Sequence, residues 1–224
     1  MSAPALVYER YQGRLGEEQL MRVGRRGDPP ILFVAPLFEE MNRTRALLAA
    51  TMRRLAAQGF DCWLPDLSGT GESVHPLEQV TWDDWRHDVA AVGDAAAVAA
   101  GALPLVVSLR GGVLIDDACR ARGWWRFAPV KGASLARDME RAARAGGAEF
   151  GGYPASPGLR AALSAAEAIT VAPLRTVRLE SDALPADFKL EAPALWRRSE
   201  PGTAPALTEA MATDIAAWSQ ACGG

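Results

Sequence analysis

The chain has 224 residues, of which 49% are hydrophobic and 23% charged, a composition typical of one globular domain and unlike that of a disordered chain. The formal net charge is -3 and the basic residues are scattered, so we predict neither nucleic acid nor an anionic membrane surface as a partner. No apolar stretch approaches the roughly 20 residues of a membrane span, and the first residues lack a signal-peptide pattern. These features predict a cytoplasmic protein without a membrane span.

Three cysteines, Cys62, Cys119 and Cys222, are odd in number and widely spaced. This usage fits neither a disulfide scaffold nor a zinc site and is typical of a reduced compartment. We predict that the thiols are free and fill space. We also predict no metal and no cofactor, because the acidic loop residues described below have no histidine or cysteine cluster beside them.

The N-terminal part of the chain alternates strand and helix patterns. Leu6–Arg10 and Gln19–Val23, separated by glycines, predict an antiparallel pair at one edge of a sheet. The continuous apolar run Ile31–Ala35 predicts a strand buried on both faces. Arg43–Gln58 has one apolar side and is followed by a glycine, which predicts a crossover helix. A strand is predicted next, at Phe60–Leu64.

The same alternation continues beyond residue 80. Thr81–Asp84 has the pattern of a capping box, which predicts the start of a helix. A strand at Leu103–Leu109, a helix at Gly112–Arg120 and a strand at Trp124–Val130 are predicted to follow. Strands that alternate with helices predict an α/β fold, with a mostly parallel sheet and helices on both faces.

An alanine- and arginine-rich stretch, residues 131–169, follows the sixth strand. Glycines interrupt its two helical segments, and we interpret it as a small helical insert that is either a lid or a pair of surface helices. A strand at Leu174–Leu179 and a helix at Ala206–Trp218 complete the pattern. No linker or repeat divides the chain, so residues 1–224 are predicted to form a single domain.

The loop after the first parallel strand, Pro36–Arg43, should lie where open α/β sheets bind ligands. Its candidate ligand-binding residues are Phe38, Glu39, Glu40, Asn42 and Arg43. Adjacent carboxylates beside an amide and a guanidinium would bind a polar ligand. In the alternative interpretation, Asn42 caps the following helix and the two glutamates are solvated or stabilise its positive end.

The second loop, Pro65–Ser73, resembles the D-x-x-G-x-G-x-S segment of many α/β hydrolases. There the glycines permit a tight turn and the aspartate holds the loop, so we interpret Asp66 as structural. Ser73 is a candidate ligand-binding residue. His75 lies just beyond, where it would either transfer protons at the pocket rim or be an exposed histidine without function.

The third loop, Val106–Gly112, follows the strand that would carry a hydrolase nucleophile. The sharp turn needs small residues two positions before and two after its tip. With Ser108 at the tip these positions hold a valine and Arg110, which are too bulky. With Arg110 at the tip they hold Ser108 and Gly112, which fit, and a register with Leu109 at the tip fits less well. Arginine is no nucleophile, but it binds carboxylate or phosphate strongly.

Only two histidines occur, His75 and His87, and both precede this loop. A hydrolase of this type needs a later histidine as general base, which Asp182 or Asp187 would orient. Because that histidine is lacking, we predict that no Ser-His-acid triad is present.

A resemblance to a known family is carried by six segments: P-L-F-E-E-M-N-R (36–43), L-P-D-L-S-G-T-G-E-S (64–73), T-W-D-D-W-R-H-D-V (81–89), S-L-R-G-G (108–112), F-G-G-Y-P-A-S-P-G-L (150–159) and A-P-A-L-W (192–196). They resemble the exosortase A system-associated hydrolase 2 proteins, α/β-hydrolase superfamily members encoded beside exosortase and exopolysaccharide genes of certain bacteria. The resemblance spans nearly the whole chain and implies the α/β-hydrolase fold. The family's elbow reads G-L-R-x-G, so Arg110 matches and Ser108 departs from it. No substrate is implied.

Two functions remain open. In the first, a binding or accessory protein uses Arg110 to pair a small anionic ligand, or Arg110 pairs internally with Glu39 or Glu40 as a structural clamp. In the second, an unconventional hydrolase or transferase acts on an acyl ester, with Glu39 or Glu40 as base and Arg110 as electrophilic donor. Ser108 and His75 are weaker catalytic candidates, and a protein partner is left open. A carboxylate and Arg110 facing one cavity would favour chemistry, whereas a closed pair without a cavity would favour the clamp.

Overall fold

A computed structural model of the protein describes residues 5–146, 149–198 and 202–223. Within them, eight strands form one sheet in the order β1-β2-β4-β3-β5-β6-β7-β8. The strands are β1 (Leu6–Gln12), β2 (Glu17–Val23), β3 (Pro30–Val34), β4 (Asp61–Pro65), β5 (Leu105–Leu109), β6 (Gly123–Phe127), β7 (Leu174–Leu179) and β8 (Phe188–Leu190). Strand β2 pairs antiparallel with β1 and β4, and the other neighbours pair parallel. The mostly parallel sheet predicted from the sequence is therefore confirmed.

Helices cover both faces of this sheet. They are α1 (Glu39–Ala57), α2 (Trp82–Ala100), α3 (Gly132–Gly146), α4 (Pro157–Ala165) and α5 (Pro205–Ala221). Alternate residues of β3 enter different cores: Ile31 and Phe33 pack with α1 and α5, whereas Leu32 and Val34 pack with α2, α3 and α4. This two-sided burial explains why the strand reads as a continuous apolar run. No helix among the described residues is long and apolar enough to cross a membrane.

Local signals in the sequence set the start of α2. The Thr81 side chain accepts a hydrogen bond from the Asp84 backbone N–H, and the Asp84 carboxylate accepts one from the Thr81 backbone N–H at 2.9 Å. These reciprocal bonds satisfy two backbone donors that the helix itself leaves without partners. The predicted capping box is confirmed.

The predicted helix at Gly112–Arg120 is wrong. The chain instead forms two short 3-10 turns, Arg110–Leu114 and Asp116–Ala118. Gly112 packs so closely that a Cβ there would lie 2.5 Å from the backbone oxygen of Ala35. The Asp116 side chain turns into the core, and β6 begins soon afterwards, so no length remains for an α-helix.

Helix α1 begins at Glu39, four residues before the predicted start. Asn42 therefore lies inside the helix, and the interpretation of Asn42 as its cap is wrong. Phe38 occupies the cap position with φ 57° and makes no side-chain capping bond. Glu39 and Glu40 lie in the first turn, where negative charge favours the positive end of the helix.

The segment predicted as an insert contains α3, a 3-10 turn at Glu149–Gly152, and α4. Both helices contribute side chains to the core beneath α2, among them Leu135, Leu159 and Leu163. The lid interpretation and the single-domain assignment remain predictions. The short edge strand β8 was not predicted, because three residues carry too little alternation to be recognised.

Candidate functional site

Arg110 lies at the carboxyl end of the sheet, directly after β5. Its φ is 52°, a left-handed conformation that is uncommon for a residue with a Cβ. The close approach of Gly112 to the carbonyls of Val34 and Ala35 keeps the turn tight. Residues in such backbone regions persist only where their surroundings hold them, so these contacts fix the conformation of the turn. That Arg110 takes the place of a nucleophile stays a prediction.

The Arg110 guanidinium is clamped by Glu40. Its Nη2 lies 2.9 Å from Glu40 Oε1, and its Nε lies 3.2 Å from both carboxylate oxygens. Nη1 donates to the backbone oxygen of Ala128 at 3.2 Å, and the guanidinium carbon lies 4.7 Å from the centre of the Trp196 ring. The Arg110 and Glu40 side chains are only 12% and 13% exposed. The clamp foreseen as an alternative is therefore formed.

Open space nevertheless borders the clamp. A cavity of about 210 Å³ lies on the side of β7, and a cavity of about 550 Å³ lies between α1 and α3. Arg110, Trp196 and Arg197 line both. Glu39, Glu40 and Arg43 line only the larger one. A closed ion pair and an adjoining cavity thus occur together at this edge of the sheet.

Most charges around the larger cavity are paired. Arg43 Nε lies 3.4 Å from Glu39 Oε1, and its Nη1 donates to the backbone oxygen of Trp196 at 3.0 Å. Arg141 and Asp138 form an ion pair at 3.0 Å on the surface of α3.

The exception among these charges is Arg197, whose exposed side chain makes no hydrogen bond or ion pair within the described part of the chain. Sequence analysis missed it. The turn Leu195–Arg197 lies far along the chain from the loops considered, and the only signal nearby was the segment A-P-A-L-W.

Phe38 and Asn42 connect the start of α1 to the segment between α3 and α4. The Phe38 ring, 2% exposed, makes edge contacts with Trp85, Phe150 and Tyr153. Asn42 donates to the Tyr153 hydroxyl, and this hydroxyl donates to Glu39, both at 3.1 Å. Burial and the Glu39 charge raise the pKa of Tyr153 above its ordinary value, so the hydroxyl keeps its proton as a donor. In the structure, Phe38 packs among aromatic rings, and Asn42 takes part in the hydrogen bonds that join α1 to Tyr153.

Ser108 is fully buried in β5, two residues before Arg110. Its hydroxyl donates to Asp116, which also binds Arg126 through bonds of 2.7 and 2.9 Å. Arg126 in turn donates to the backbone oxygen of Ile169. Ser108 therefore belongs to a sealed polar cluster beneath the turn and does not line either cavity described above.

Ser73 and His75 lie in a different cluster from Arg110. The Ser73 hydroxyl donates to Glu18 of β2 at 2.9 Å and accepts from the backbone N–H groups of Gly69 and His75. His75 Nε2 lies 4.0 Å from Glu18 Oε1. Within residues 5–146, 149–198 and 202–223, no group of three or more His, Cys, Asp or Glu side chains is arranged to hold a metal ion.

The Pro65–Ser73 loop is held by Asp66. This carboxylate binds Arg45 at 2.7 and 3.3 Å and accepts from the Glu72 backbone N–H at 3.2 Å. The structural interpretation of Asp66 is confirmed. The cysteines are also free as predicted, with Cys62 and Cys119 buried.

Comparison with solved structures defines the class of fold. A thermophilic esterase from Thermogutta terrifontis aligns over 98% of this chain and 100% of its own, with 15% identity and a TM-score of 0.64. A thioesterase domain from the curacin biosynthetic pathway aligns over 96% and 99%, with 14% identity and a TM-score of 0.59. The chain therefore has the α/β-hydrolase fold.

Other comparisons add no family assignment. An epoxide hydrolase from Vigna radiata is 14% identical with a TM-score of 0.45, and the match covers 56% of this chain but only 39% of that longer one. No protein-family model and no curated protein matches the chain. At these identities the likeness defines the fold alone, and the activity has to be argued from the site.

Proposed function

We propose that the protein binds a small anionic ligand at the carboxyl edge of its sheet and does not act as a Ser-His-acid hydrolase. The observation that carries the proposal is Arg197, a guanidinium without a protein partner among the described residues, which lines both cavities beside Arg110. A planar guanidinium donates two parallel hydrogen bonds to a carboxylate or phosphate, so an anion is its natural partner.

The arrangement around the turn argues against serine chemistry. Arg110 stands at the tip, and a guanidinium neither attacks a carbonyl nor accepts a proton at neutral pH. Ser108 is buried and its hydroxyl already donates to Asp116. Neither histidine follows β5, His87 is exposed on α2, and His75 lies beside Glu18. Nothing in this arrangement activates a hydroxyl nucleophile.

The charges and shape of the larger cavity favour a monoanion. With the Glu40, Glu39 and Asp138 carboxylates each matched to an arginine, Arg197 supplies one positive charge in excess. Leu135 and Met139 of α3 add apolar surface to the opposite wall. A volume of about 550 Å³ falls in the range of small-molecule sites. A carboxylate with a short apolar chain satisfies all three features.

The biological setting rests on the resemblance alone. The exosortase-associated proteins are encoded with exopolysaccharide genes, and we place this protein in the same bacterial context as a cytoplasmic accessory protein. Its ligand is then an anionic intermediate of envelope or exopolysaccharide metabolism. A product of a neighbouring gene is a candidate protein partner.

A second function has one observation in its favour. The Glu39 side chain is 44% exposed and lines the larger cavity, so a bound ester would meet a carboxylate base there. In this alternative Glu39, or Glu40 once released from its clamp, activates water, and Arg110 stabilises the developing negative charge. In the structure, however, the Glu39 carboxylate already contacts Arg43 and accepts a hydrogen bond from the Tyr153 hydroxyl.

Calorimetric titration with butyrate and with inorganic phosphate tests the binding proposal. We expect butyrate to bind the wild type and to bind Arg197→Gln at least tenfold more weakly. Arg198→Gln is the matched control, because Arg198 is exposed next to Arg197 but lines neither cavity, and its affinity should equal that of the wild type. Equal affinities in all three proteins, or no binding of either anion, would overturn the proposal.

A fluorophosphonate probe and a panel of acyl esters and thioesters separate binding from catalysis. We expect neither labelling nor turnover by the wild type, Ser108→Ala, Arg110→Ala or Glu39→Gln. Labelling that is lost only in Ser108→Ala would restore a serine hydrolase. Turnover that is lost in Glu39→Gln but kept in Ser108→Ala would establish the second function instead.

A further inference from the structure

A pair of buried carboxylates, Glu18 and Asp88, lies where β2, the loop after β4 and α2 meet. Their residues are 1% and 0% exposed. Glu18 Oε1 accepts from the Ser73 hydroxyl at 2.9 Å, and Asp88 Oδ2 accepts from the Ser68 backbone N–H at 2.8 Å. Each carboxylate therefore uses one oxygen to hold the loop between β4 and α2. The pair acts as a clasp between three elements.

The second oxygen of each carboxylate has no hydrogen-bond partner in the part of the chain that the structure describes. Among the described residues, Glu18 Oε2 and Asp88 Oδ1 are buried without a hydrogen bond. The nearby Ser68 hydroxyl lowers the pKa of both carboxylates, but it carries a single proton and can donate to only one of them at a time. A buried acceptor without a donor is destabilising, and more so when it is charged, so two such oxygens in one cluster need an explanation.

Gly13 packs against both carboxylate side chains. A Cβ built on Gly13 would lie 2.7 Å from Asp88 Oδ1 and 3.3 Å from Glu18 Cγ. Both side chains thus border the same crowded spot beside the turn from β1 to β2. A proton needs no additional room and converts one of the two acceptors into a donor.

Few positive charges face this pair. On the loop, His75 Nε2 lies 4.0 Å from Glu18 and is 26% exposed. On α2, the exposed His87 lowers the pKa of Asp88, whereas the buried Asp84 raises it. The remaining neighbours are Tyr11 of β1, which donates to the Asp66 backbone, Asp66 itself, which is paired with Arg45, and Arg14, which lies 3.8 Å from Asp84.

Two ionised carboxylates would therefore be poorly compensated. Burial raises the pKa of Glu18 and of Asp88, and the Asp88 charge raises the pKa of Glu18 further. The Ser68 and Ser73 hydroxyls lower the pKa of Glu18, but they do not reverse its direction. The raised pKa values and the oxygens without a donor both favour a protonated carboxyl in this pair.

We propose that Glu18 and Asp88 share one proton at neutral pH, and that its loss opens the clasp between β2, the loop after β4 and α2. The folded protein then holds a proton that the unfolded chain releases above about pH 4. Stability contributed by the pair is fully present below that pH and is lost as the pH rises towards the value at which the folded pair ionises. The clasp is a pH-sensitive device. It lies near the end of the sheet formed by β1 and β2, whereas β7 and β8 form the other end.

Urea unfolding from pH 5 to pH 9 tests the proposal through the difference between the wild type and Glu18→Gln. The amide supplies the missing donor at every pH. Relative to Glu18→Gln, the unfolding equilibrium constant of the wild type should rise about tenfold per pH unit while the folded pair keeps its proton. Asp88→Asn should behave like Glu18→Gln. Glu17→Gln, an exposed neighbour on β2, should keep the wild-type slope.

His75→Gln separates the carboxylates from the nearby histidine and should also keep the wild-type slope. A slope removed by His75→Gln alone, or equal slopes in the wild type and Glu18→Gln, would overturn the proposal. A carboxyl carbon-13 NMR titration of the wild type provides a readout that needs no variant. It should show one carboxyl among Glu18 and Asp88 still protonated at pH 6, and two ionised carboxylates at that pH would contradict the shared proton.

Discussion

Two arginine–carboxylate pairs at the end of β5 have the same bonding chemistry and different surroundings. Arg126 and Asp116 are joined at 2.7 Å with side chains 5% and 0% exposed, and their other contacts are to protein groups. Arg110 and Glu40 are joined at 2.9 Å with side chains 12% and 13% exposed, and they border two cavities. An ion pair alone does not mark a site. Adjoining space and a spare positive charge distinguish the second pair from the first.

The largest effect is expected from Asp116→Ala, which leaves Arg126 buried without its anion. We expect a loss of about 3–5 kcal/mol in the free energy of unfolding, because an uncompensated buried charge is the main penalty. Urea unfolding measures it. Asp116→Asn, which keeps an acceptor for Arg126 and Ser108, should lose less. Equal losses in both variants would show that the lost negative charge, and not the lost acceptor, accounts for the penalty, and a negligible loss in Asp116→Ala would contradict the prediction.

Glu40→Ala should have a smaller effect, about 1–2 kcal/mol, because Arg110 keeps the Ala128 oxygen and the Trp196 ring and gains water from the cavities. Removing a negative charge from the cavity wall should also tighten butyrate binding severalfold. Calorimetry and urea unfolding measure the two effects. Glu209→Ala, which breaks the exposed pair with Arg54, is the control and should change neither quantity appreciably. Butyrate binding that is weaker in Glu40→Ala than in the wild type would contradict the inference that this ion pair, unlike Arg126 and Asp116, borders an anion site.

Arg197→Gln should change the free energy of unfolding by less than about 0.5 kcal/mol, because surface substitutions that break no contact have small effects. The melting temperature should match that of Arg198→Gln. A large loss of stability would mean that Arg197 serves the fold, and the butyrate result for this variant would then no longer report on a binding site.

The fold was predictable because its strands are buried on both faces. Five apolar residues at Ile31–Ala35 and the capping box at Thr81 each specify their element locally. The link after β5 was not predictable in the same way. Its residues are compatible with a helix, and only the close contact of Gly112 with the Ala35 carbonyl and the inward turn of Asp116 exclude one. Such contacts exist only after the strands have assembled.

The candidate site was predictable in part for a similar reason. Glu40 and Arg110 were both named, but they are 70 positions apart, and sequence patterns do not report whether such side chains meet. Ser73 and His75 lie in the adjoining loop and yet face Glu18 on β2. Arg197 had no pattern of its own, since its role follows from the cavities that the turn at Leu195–Arg197 borders.

Under the proposed function, the left-handed backbone at Arg110 also limits how this scaffold could gain serine-esterase chemistry. A serine at this position would stand at the tip of the turn, where a nucleophile would be exposed to the cavities. The same change would leave Glu40 without the guanidinium that neutralises it, and no histidine occurs after His87 in the sequence to activate the serine. Under the proposed function, serine-esterase chemistry at this turn would therefore require a new base after β7 and a new partner for Glu40 together, which no single substitution supplies.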